Sequence, residues 1–457
     1  MTASTSTPNA AAANAGLTAY EQIDSRPLTG HQKSLVALAV IGNIAEFFDI
    51  FMVGFVISLL TGAWNLTGMQ AGIITSCTGL GTVIGSILWG RMSDRIGRRA
   101  SFRCCVLFFL VFTILTLFIP EGGWYFYAIC RVGVGMGVGG LNITSIPYVQ
   151  EFVPTKQRGL LSGLASVFIP MGLLLGSICQ RIVGDNWRVL VSLSLVSVLL
   201  LVWIHFVSES PRFYLLHGQP DKARQSLAWA LDVPESQVGA LPQVKAERKA
   251  SYGELLAHHL RPLVIVSLGS FCFILGSFAI QSWGQTLLKD GFGFDTEMVA
   301  YLFMGVAVAD CLGRFGSAWL ADRIGRRWTM FLYGMIGAAA CFAAVFFHGS
   351  GWAFYIEVLV IMMFADGVFG IINAFGSEQF SNDVRSTGIG LGYGLGTIAK
   401  IVGPSLMGVL VGGSAVSQNI SLSVITTAFT FFGCCLVLGA IIYLFARETK
   451  GKNLESL

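Results

Sequence analysis

The chain has few charged residues. Only 12% of its 457 residues are Asp, Glu, Lys or Arg, whereas about 25% is usual for a soluble protein. Apolar and aromatic residues make up 54% of the chain, and the mean hydropathy is +0.70. Apolar runs of about twenty residues recur along it, and each is long enough to cross the core of a bilayer. The composition therefore excludes an ordinary soluble protein and predicts an all-α membrane protein.

Motifs for catalysis and metal binding are missing too. The ten cysteines form no CxxC pair and mostly lie inside apolar runs, so we interpret them as small apolar residues. The glycines between 133 and 140 follow no predicted strand and precede no Walker lysine, so they do not form a nucleotide loop. Since no catalytic triad is present either, we expect no enzyme, no metal and no cofactor. The net charge of +4 gives no reason to expect a nucleic-acid partner.

The N-terminal region lacks the apolar segment of a cleavable signal peptide. It is rich in Ala, Ser and Thr, and we expect residues 1–33 to form a disordered tail. Twelve apolar spans follow, numbered here in chain order: 34–60, 70–90, 101–119, 124–149, 160–183, 187–208, 262–289, 297–320, 328–348, 352–378, 386–411 and 421–446. A polar central segment at 209–261, with a short surface helix from Gln219 to Leu231, separates spans 6 and 7.

The charged residues that are present form a repeated loop. The ten residues from Gly90 to Arg99 return in similar form at 318–327, and Asp322 lies 228 residues after Asp94. A second pattern, Glu151 to Arg158, returns 227 residues later as Glu378 to Arg385. The repeat predicts two six-helix bundles, at 34–208 and 262–446, with a tail at 447–457. Parallel six-helix repeats are an architecture for alternating access at the interface between the halves.

Basic residues are unevenly distributed among the loops. Lys and Arg follow spans 2, 4, 8 and 12, whereas the loops after spans 1, 3, 9 and 11 have almost none. Since basic loops stay on the cytoplasmic side of a membrane, we expect both termini and the central segment to be cytoplasmic.

These motifs resemble those of the major facilitator superfamily. The motif after span 2 reads Gly90-x-x-x-Asp94-Arg95-x-Gly97-Arg98, and its second copy has Ala318 in place of the first glycine. Further matches are Arg131 with the glycines of span 4, Glu209-Ser210-Pro211-Arg212 after span 6 and Glu448-Thr449-Lys450-Gly451 after span 12. The resemblance implies a monomeric transporter with twelve transmembrane helices in an inner or plasma membrane, moving a small solute across the lipid bilayer.

Span 7 bears on the branch of this family. Sugar porters carry a Gln-Gln-x-x-x-Asn pattern there, but this chain has Gln281, Trp283 and Gln285. That region looks more like the organic ion and aromatic acid transporters. Members of that branch often have an arginine in span 11 where Thr397 lies here, and Lys400 follows one helical turn later.

The charged loops are interpreted as gates. We expect Asp94 to face the N-terminus of span 11, where the helix dipole favours negative charge. We expect Arg95 and Arg98 to pair with acids such as Glu151, and only while that side of the protein is closed. The predicted gating residues are Gly90, Asp94, Arg95, Arg98, Glu151, Arg158, Asp322, Arg323, Arg326, Glu378 and Arg385.

Ionisable residues inside spans cost at least about 2.5–3.5 kcal/mol at the centre of a helix, so each of them needs a role. The resemblance implies that an acid of span 1, Asp49 or Glu46, exchanges a proton against Arg131 of span 4. The alternative is a static ion pair that only fixes helix packing. Asp366 in span 10 is either a second proton site, a substrate contact or a helix–helix hydrogen bond. Asp310 and Arg314, four residues apart, are expected to pair structurally.

Lys400 is the only lysine well inside an apolar span, and a lysine facing a cavity would attract a carboxylate. Its alternatives are a partner for Asp366 or Asp49, or snorkelling towards an interface. Polar groups among aromatics are typical of pocket walls, so the candidate substrate contacts are Glu46, Asn43, Gln281, Trp283, Gln285, Asn373 and Lys400. Glu46 has a further alternative, a position near the membrane surface.

The sequence thus predicts a secondary active transporter that moves a small organic acid, such as an aromatic carboxylate, together with a proton. A sugar:proton symporter and an organic cation or drug carrier are the alternatives among transporters. A non-transporting receptor would need a long regulatory tail or domain, which this sequence lacks.

Overall fold

The computed structural model describes residues 17–450 apart from 159–160, 162–163, 165–166, 242–251, 347–348, 382–383 and 417–421. In this part of the chain, eleven helices are long and apolar enough to cross a membrane. The fifth predicted span is visible as the shorter apolar helix Pro170–Val183, and its predicted beginning lies largely outside the described residues. The prediction of twelve spans is therefore confirmed.

The two halves have the expected order of helices. Spans 1–6 are Gly30–Ala63, Gly68–Ile96, Arg98–Leu117, Trp124–Gln150, Pro170–Val183 and Trp187–Phe206. Spans 7–12 are Leu260–Gly291, Thr296–Ile324, Arg326–Phe346, Gly351–Gly370 continued by Ile372–Ser377, Arg385–Gly396 continued by Ala399–Val411, and Leu422–Leu444. Several start at capping residues: Thr29 and Thr67 form capping boxes at the starts of spans 1 and 2, which satisfy free backbone N–H groups.

One face of the molecule holds the two halves together. Span 2 packs on span 11 through glycines: a Cβ on Gly72 would lie 2.8 Å from Gly408, and one on Gly79 would lie 2.5 Å from the Lys400 carbonyl oxygen. Thr61 also donates a hydrogen bond to Asp290 across the halves at 3.1 Å.

A further contact between the halves shows on which face of the molecule the two charged loops lie. Arg181, at the end of span 5, pairs with Glu297 at the start of span 8, on the face where span 2 also begins. Spans 2 and 8 therefore start on one face and end on the other. We call these the closed face and the charged-loop face. That the charged-loop face is cytoplasmic stays a prediction from the loop charges.

The halves separate towards the charged-loop face. A Cβ on Gly90 of span 2, or on Gly390 or Gly394 of span 11, would meet nothing within 4 Å. The space between the halves therefore opens towards this face.

The N-terminal region is more ordered than the sequence predicts. Residues Ala19–Ser25 form a helix with a capping box between Thr18 and Glu21. Ala19 and Ile23 are buried against Leu227 and Val238 of the central segment. The prediction of a disordered tail over 1–33 is therefore wrong from residue 17 onwards, because this short helix gains a packing partner; residues 1–16 lie outside the described residues.

The central segment is partly helical. It contains Pro211–Leu216, Pro220–Leu231 and Tyr252–His258, and the second of these matches the predicted surface helix. Thr29 donates a hydrogen bond to the Ala230 carbonyl at 2.6 Å, and the rings of His31 and Trp229 stack 4.9 Å apart. The segment is thereby attached to the start of span 1.

Candidate functional site

Asp49 and Arg131 form a buried ion pair in the N-terminal half. A guanidinium N–H of Arg131 donates to the Asp49 carboxylate at 2.8 Å, and the two side chains are 4% and 2% exposed. Ser194 of span 6 donates to the other Asp49 oxygen at 2.9 Å, and Arg131 donates to Thr78 of span 2 at 3.1 Å. Asp49 therefore faces the protein interior, where four spans converge.

The glycines of span 4 allow this convergence. A Cβ on Gly135 would lie 2.4 Å from the Thr78 carbonyl oxygen, and one on Gly139 would lie 2.2 Å from the Thr82 carbonyl oxygen. Spans 2 and 4 are thus in backbone contact. This contact places the Thr78 hydroxyl beside Arg131.

A second charged cluster lies in the C-terminal half. Arg314 donates to Asp310, one turn earlier in span 8, at 2.9 Å, and to Asp366 of span 10 at 2.5 Å. Gln281 of span 7 also donates to Asp366, at 3.1 Å. The pairing of Asp310 with Arg314 is as predicted, but Asp366 joins them. The helix–helix hydrogen bond predicted for Asp366 is therefore present. The amide of Gln281, a predicted substrate contact, donates its hydrogen bond to Asp366 instead.

Lys400 lies between the halves. Its ammonium group is 5.9 Å from the ring of Phe47 in span 1 and 5.6 Å from the ring of Phe278 in span 7. Glu46 and Asp366 act on it electrostatically, but no carboxylate in the described ranges lies within the 4.0 Å ion-pair distance. Lys400 is therefore a half-buried cation between two aromatic rings, without the close contact to Asp366 or Asp49 that one of the alternatives requires.

Glu46 lies deep in the protein rather than near the membrane surface. It is 3% exposed, and its Oε2 atom has no hydrogen-bond partner in the described part of the chain. A buried carboxylate oxygen without a partner is unfavourable, so Glu46 is suited to binding a proton or a ligand group.

Trp283 and Gln285 also present unpaired polar atoms. Both are fully buried, and within the described ranges the indole N–H and both amide atoms lack partners. Gln285 lies against span 1, where a Cβ on Gly54 would be 2.5 Å from its amide oxygen. Gln285 therefore borders the interface of the halves, as a substrate site requires.

The two predicted asparagines differ. Asn43 donates to the Ala39 carbonyl at 2.7 Å and to the Ser145 hydroxyl at 3.0 Å, so its amide N–H groups tie span 1 to span 4 instead of facing a substrate. Asn373 is exposed in span 10, so the structure does not bury its amide in a helix contact.

The first charged loop is held within the N-terminal half. The Arg98 side chain contacts Glu151 at 3.4 Å and Asp94 at 3.1 Å, while Glu209 accepts the backbone N–H groups of Arg98 and Arg99 at 2.8 and 3.0 Å. Burial raises the pKa of Glu151, and the charge of Arg98 opposes that shift.

One gating prediction needs correction. The Arg98–Glu151 pair is present although the halves are apart on this face, so it does not depend on closure; both residues belong to the same half. Arg95 is exposed and forms no ion pair with any described acid, so its pairing in the closed state stays a prediction. The approach of Asp94 to span 11 stays a prediction for the other state.

The second charged loop has the same construction. Glu448 accepts the N–H groups of Arg326 and Arg327 at 3.0 and 3.1 Å, and the Arg326 side chain pairs with Glu378 at 3.0 Å. Burial alone would raise the pKa of Glu448, but four backbone hydrogen bonds lower it overall. Burial raises the pKa of Glu378. Lys450 donates to the Arg323 carbonyl at 2.6 Å.

The remaining predicted gating residues lie around these loops. Asp322 is exposed, and Arg158 and Arg385 are half-buried. The guanidinium of Arg323 lies 4.2 Å from the ring of Trp319. Sequence reasoning missed the roles of Ser194 and Thr78, because no local pattern marks a hydroxyl whose partner is on a distant span.

Comparisons with known proteins agree with this architecture. The profile of the family described as "Sugar (and other) transporter" matches residues 35–457. The niacin transporter NiaP of Acinetobacter baylyi is 26% identical over 446 residues, covering 95% of this chain and 98% of that protein. The cis,cis-muconate transport protein of the same organism is 25% identical over 419 residues, covering 90% and 94%.

Solved structures resemble the fold as well. The xylose transporter XylE from E. coli, in a partially occluded inward-open conformation, superposes with a TM-score of 0.73 at 18% identity, covering 93% of this chain and 100% of that one. The profile match, the relatives and the fold show that this chain belongs to the major facilitator superfamily and is a multi-pass membrane transporter, not an enzyme.

Proposed function

We propose that this transporter is a proton-coupled symporter of a small organic acid. The observation that carries the proposal is Lys400, an ammonium group between Phe47 and Phe278 with no carboxylate at ion-pair distance in the described ranges. A cation among aromatic rings suits an aromatic or otherwise planar carboxylate. Niacin and cis,cis-muconate, which two relatives are named for, are both organic acids.

Glu46 and Lys400 lie on opposite halves of the molecule. Glu46 belongs to span 1, Lys400 to span 11, and each acts on the other electrostatically. A solute carboxylate that binds Lys400 adds a negative charge near Glu46, which favours a proton on Glu46. Binding of the anion and of a proton would therefore support each other.

Asp49 is the proposed coupling acid. Its charge is held by Arg131 and Ser194, and a proton on Asp49 would remove the attraction that keeps Arg131 in place. The N-terminal half could then rearrange against the C-terminal half, so that the cavity opens on the other face.

The sharpest test of the substrate class replaces Lys400. Purified protein would be tested for thermal stabilisation by nicotinate, cis,cis-muconate, nicotinamide, D-xylose and tetraethylammonium. We expect an acid to stabilise the protein and Lys400→Gln to weaken its binding at least tenfold, about 1.4 kcal/mol. Lys400→Arg, which keeps the charge, should retain most of the affinity.

Two outcomes would count against an organic acid. One is stabilisation by xylose alone. The other is an equal loss of affinity for nicotinate and for its neutral amide in Lys400→Gln, which would mean that Lys400 acts on packing rather than on the anion.

An organic cation is the second candidate, and the balance of central charges favours it. Four carboxylates face three cations: Glu46, Asp49, Asp310 and Asp366 against Arg131, Arg314 and Lys400. If all were ionised, the site would attract a positive charge. Stabilisation by tetraethylammonium, undiminished in Lys400→Gln, would support this candidate.

A further inference from the structure

The cluster around Arg314 contains more negative than positive charge. One guanidinium serves two carboxylates: Asp310 at 2.9 and 3.3 Å, and Asp366 at 2.5 Å. The side chains of Arg314, Asp310 and Asp366 are at most 4% exposed. With both acids ionised the cluster would keep a net charge of −1 inside the membrane, where an uncompensated charge is strongly disfavoured.

The two acids share the guanidinium of Arg314 and act on each other electrostatically. When both are ionised, the two carboxylates held by this one side chain repel each other, and neither has a proton to donate to the other. A proton on one of them removes this repulsion, as in other pairs of acids that share a site. The other titratable groups that act on the pair are Arg314, Cys311, Tyr393 and Lys400.

Asp366 lies at a break in span 10. The helix has π geometry over Met362–Asp366 and 3-10 geometry over Gly367–Gly370, and such breaks within a helix are frequent at functional sites. A Cβ on Gly313 of span 8 would lie 1.9 Å from the Met363 carbonyl oxygen. The bond from Arg314 to Asp366 thus fixes the break of span 10 against span 8.

We propose that Asp310 and Asp366 together bind one exchangeable proton, distinct from the proton assigned to Asp49, and that it controls the break in span 10. A hydronium ion in the cavity gives the proton to a carboxylate oxygen and becomes water, and the cluster changes from a net charge of −1 to zero. When the proton leaves, the two carboxylates repel each other, and Asp366 separates from Asp310. Exchange of this proton during transport rests on the proposed symport, whereas its presence does not.

Infrared spectroscopy tests the proton without any solute. A protonated carboxyl group has a C=O stretching band that a carboxylate lacks, so purified protein would be titrated with alkali. We expect a band that disappears on titration and that is absent from both Asp310→Asn and Asp366→Asn. Glu297→Gln, at the exposed start of the same span, is the control and should keep it. A band unchanged in both aspartate variants would overturn the proposal.

Hydrogen–deuterium exchange tests the link to the break in span 10. After correction for intrinsic rates, residues 362–370 of the wild type should exchange at least several-fold faster once the proton has left. In Asp310→Asn, which leaves one carboxylate for one guanidinium, we expect no such step. If residues 362–370 of the wild type exchange equally fast with and without the proton, the proton does not control the break in span 10, and that part of the proposal is overturned. Neither measurement depends on the proposed organic acid, so the two proposals can fail separately.

Discussion

At the scale of single residues, two glycines shape the charged loops. Gly97 and Gly325 have φ angles of 99° and 101°, a region that other residues rarely adopt. Each lies against the carboxylate that caps the following helix: a Cβ on Gly97 would be 2.3 Å from Glu209, and one on Gly325 would be 2.7 Å from Glu448. The repeat in the sequence thus encodes a repeated cap, one for each half.

Replacement of Gly97 tests this construction. Gly97→Ala should destabilise the protein by about 1–3 kcal/mol from the backbone alone, and more because the methyl group displaces Glu209. The loss is measured from thermal unfolding in detergent. Gly218→Ala is the matched control, since Gly218 also has a positive φ, 67°, but its Cβ would meet nothing within 4 Å. Equal losses in the two variants would show that the Glu209 cap contributes no stability.

The charged residues show what a sequence can predict at this scale. Asp49 and Arg131 were paired through resemblance, and the structure places them 2.8 Å apart. Asp310 and Arg314 were paired by helical spacing alone. Asp366 could not be added to them, because it lies 52 residues from Arg314 and their contact depends on how spans 8 and 10 pack. Asn43 is predicted to contact substrate, and nothing in its local sequence indicates its hydrogen bond to Ser145.

At the scale of elements, spans 2 and 11 form the main contact between the halves on the closed face. Gly72 and Gly408 bring the two backbones together, and Ser76 donates to the Ile401 carbonyl at 3.0 Å. Further along span 2, Gly90 has open space beside it. A side chain at position 72 of span 2 would therefore push the halves apart on the closed face, whereas one at position 90 would not.

Gly72→Val should shift the molecule away from the closed-face arrangement. Overpacking at such a contact costs about 1–3 kcal/mol, a change of roughly five-fold or more in the ratio of states. Spin labels at the closed-face ends of spans 2 and 11 would report a longer distance. Gly90→Val is the control and should leave the distance unchanged; a lengthening in both variants would mean that the effect is not specific to this contact.

The short helices show the limit of element prediction. Pro220–Leu231 follows from its proline start and its length, and the sequence predicts it. Ala19–Ser25 has only seven residues, which is too short for stability on its own. Its partner is the central segment, about two hundred residues away, so only the tertiary structure could reveal it.

At the scale of the whole molecule, each half is internally tied and the interface between halves is free to change. Arg98 and Glu151 pair within the first half, and Arg326 and Glu378 within the second. The contacts between halves are concentrated on the closed face and around Lys400. This arrangement suits two units that rock against each other about a central site.

The duplicated six-span plan could be read from the sequence because the charged loop repeats at a fixed distance. The direction in which the cavity opens could not. It depends on whether the contacts between the halves on one face, such as Thr61 with Asp290, are more stable than those on the other face. This is a small difference in free energy between two arrangements of one chain.

The most direct test of the proposed coupling is transport by Asp49→Asn in proteoliposomes. The probe is whichever of radiolabelled nicotinate or cis,cis-muconate stabilises the wild type. Asparagine keeps the shape of Asp49 but cannot exchange a proton, so we expect accumulation driven by a proton gradient to fall to background, while exchange without a gradient continues. Accumulation at the wild-type level would contradict the assignment of Asp49 as the coupling acid.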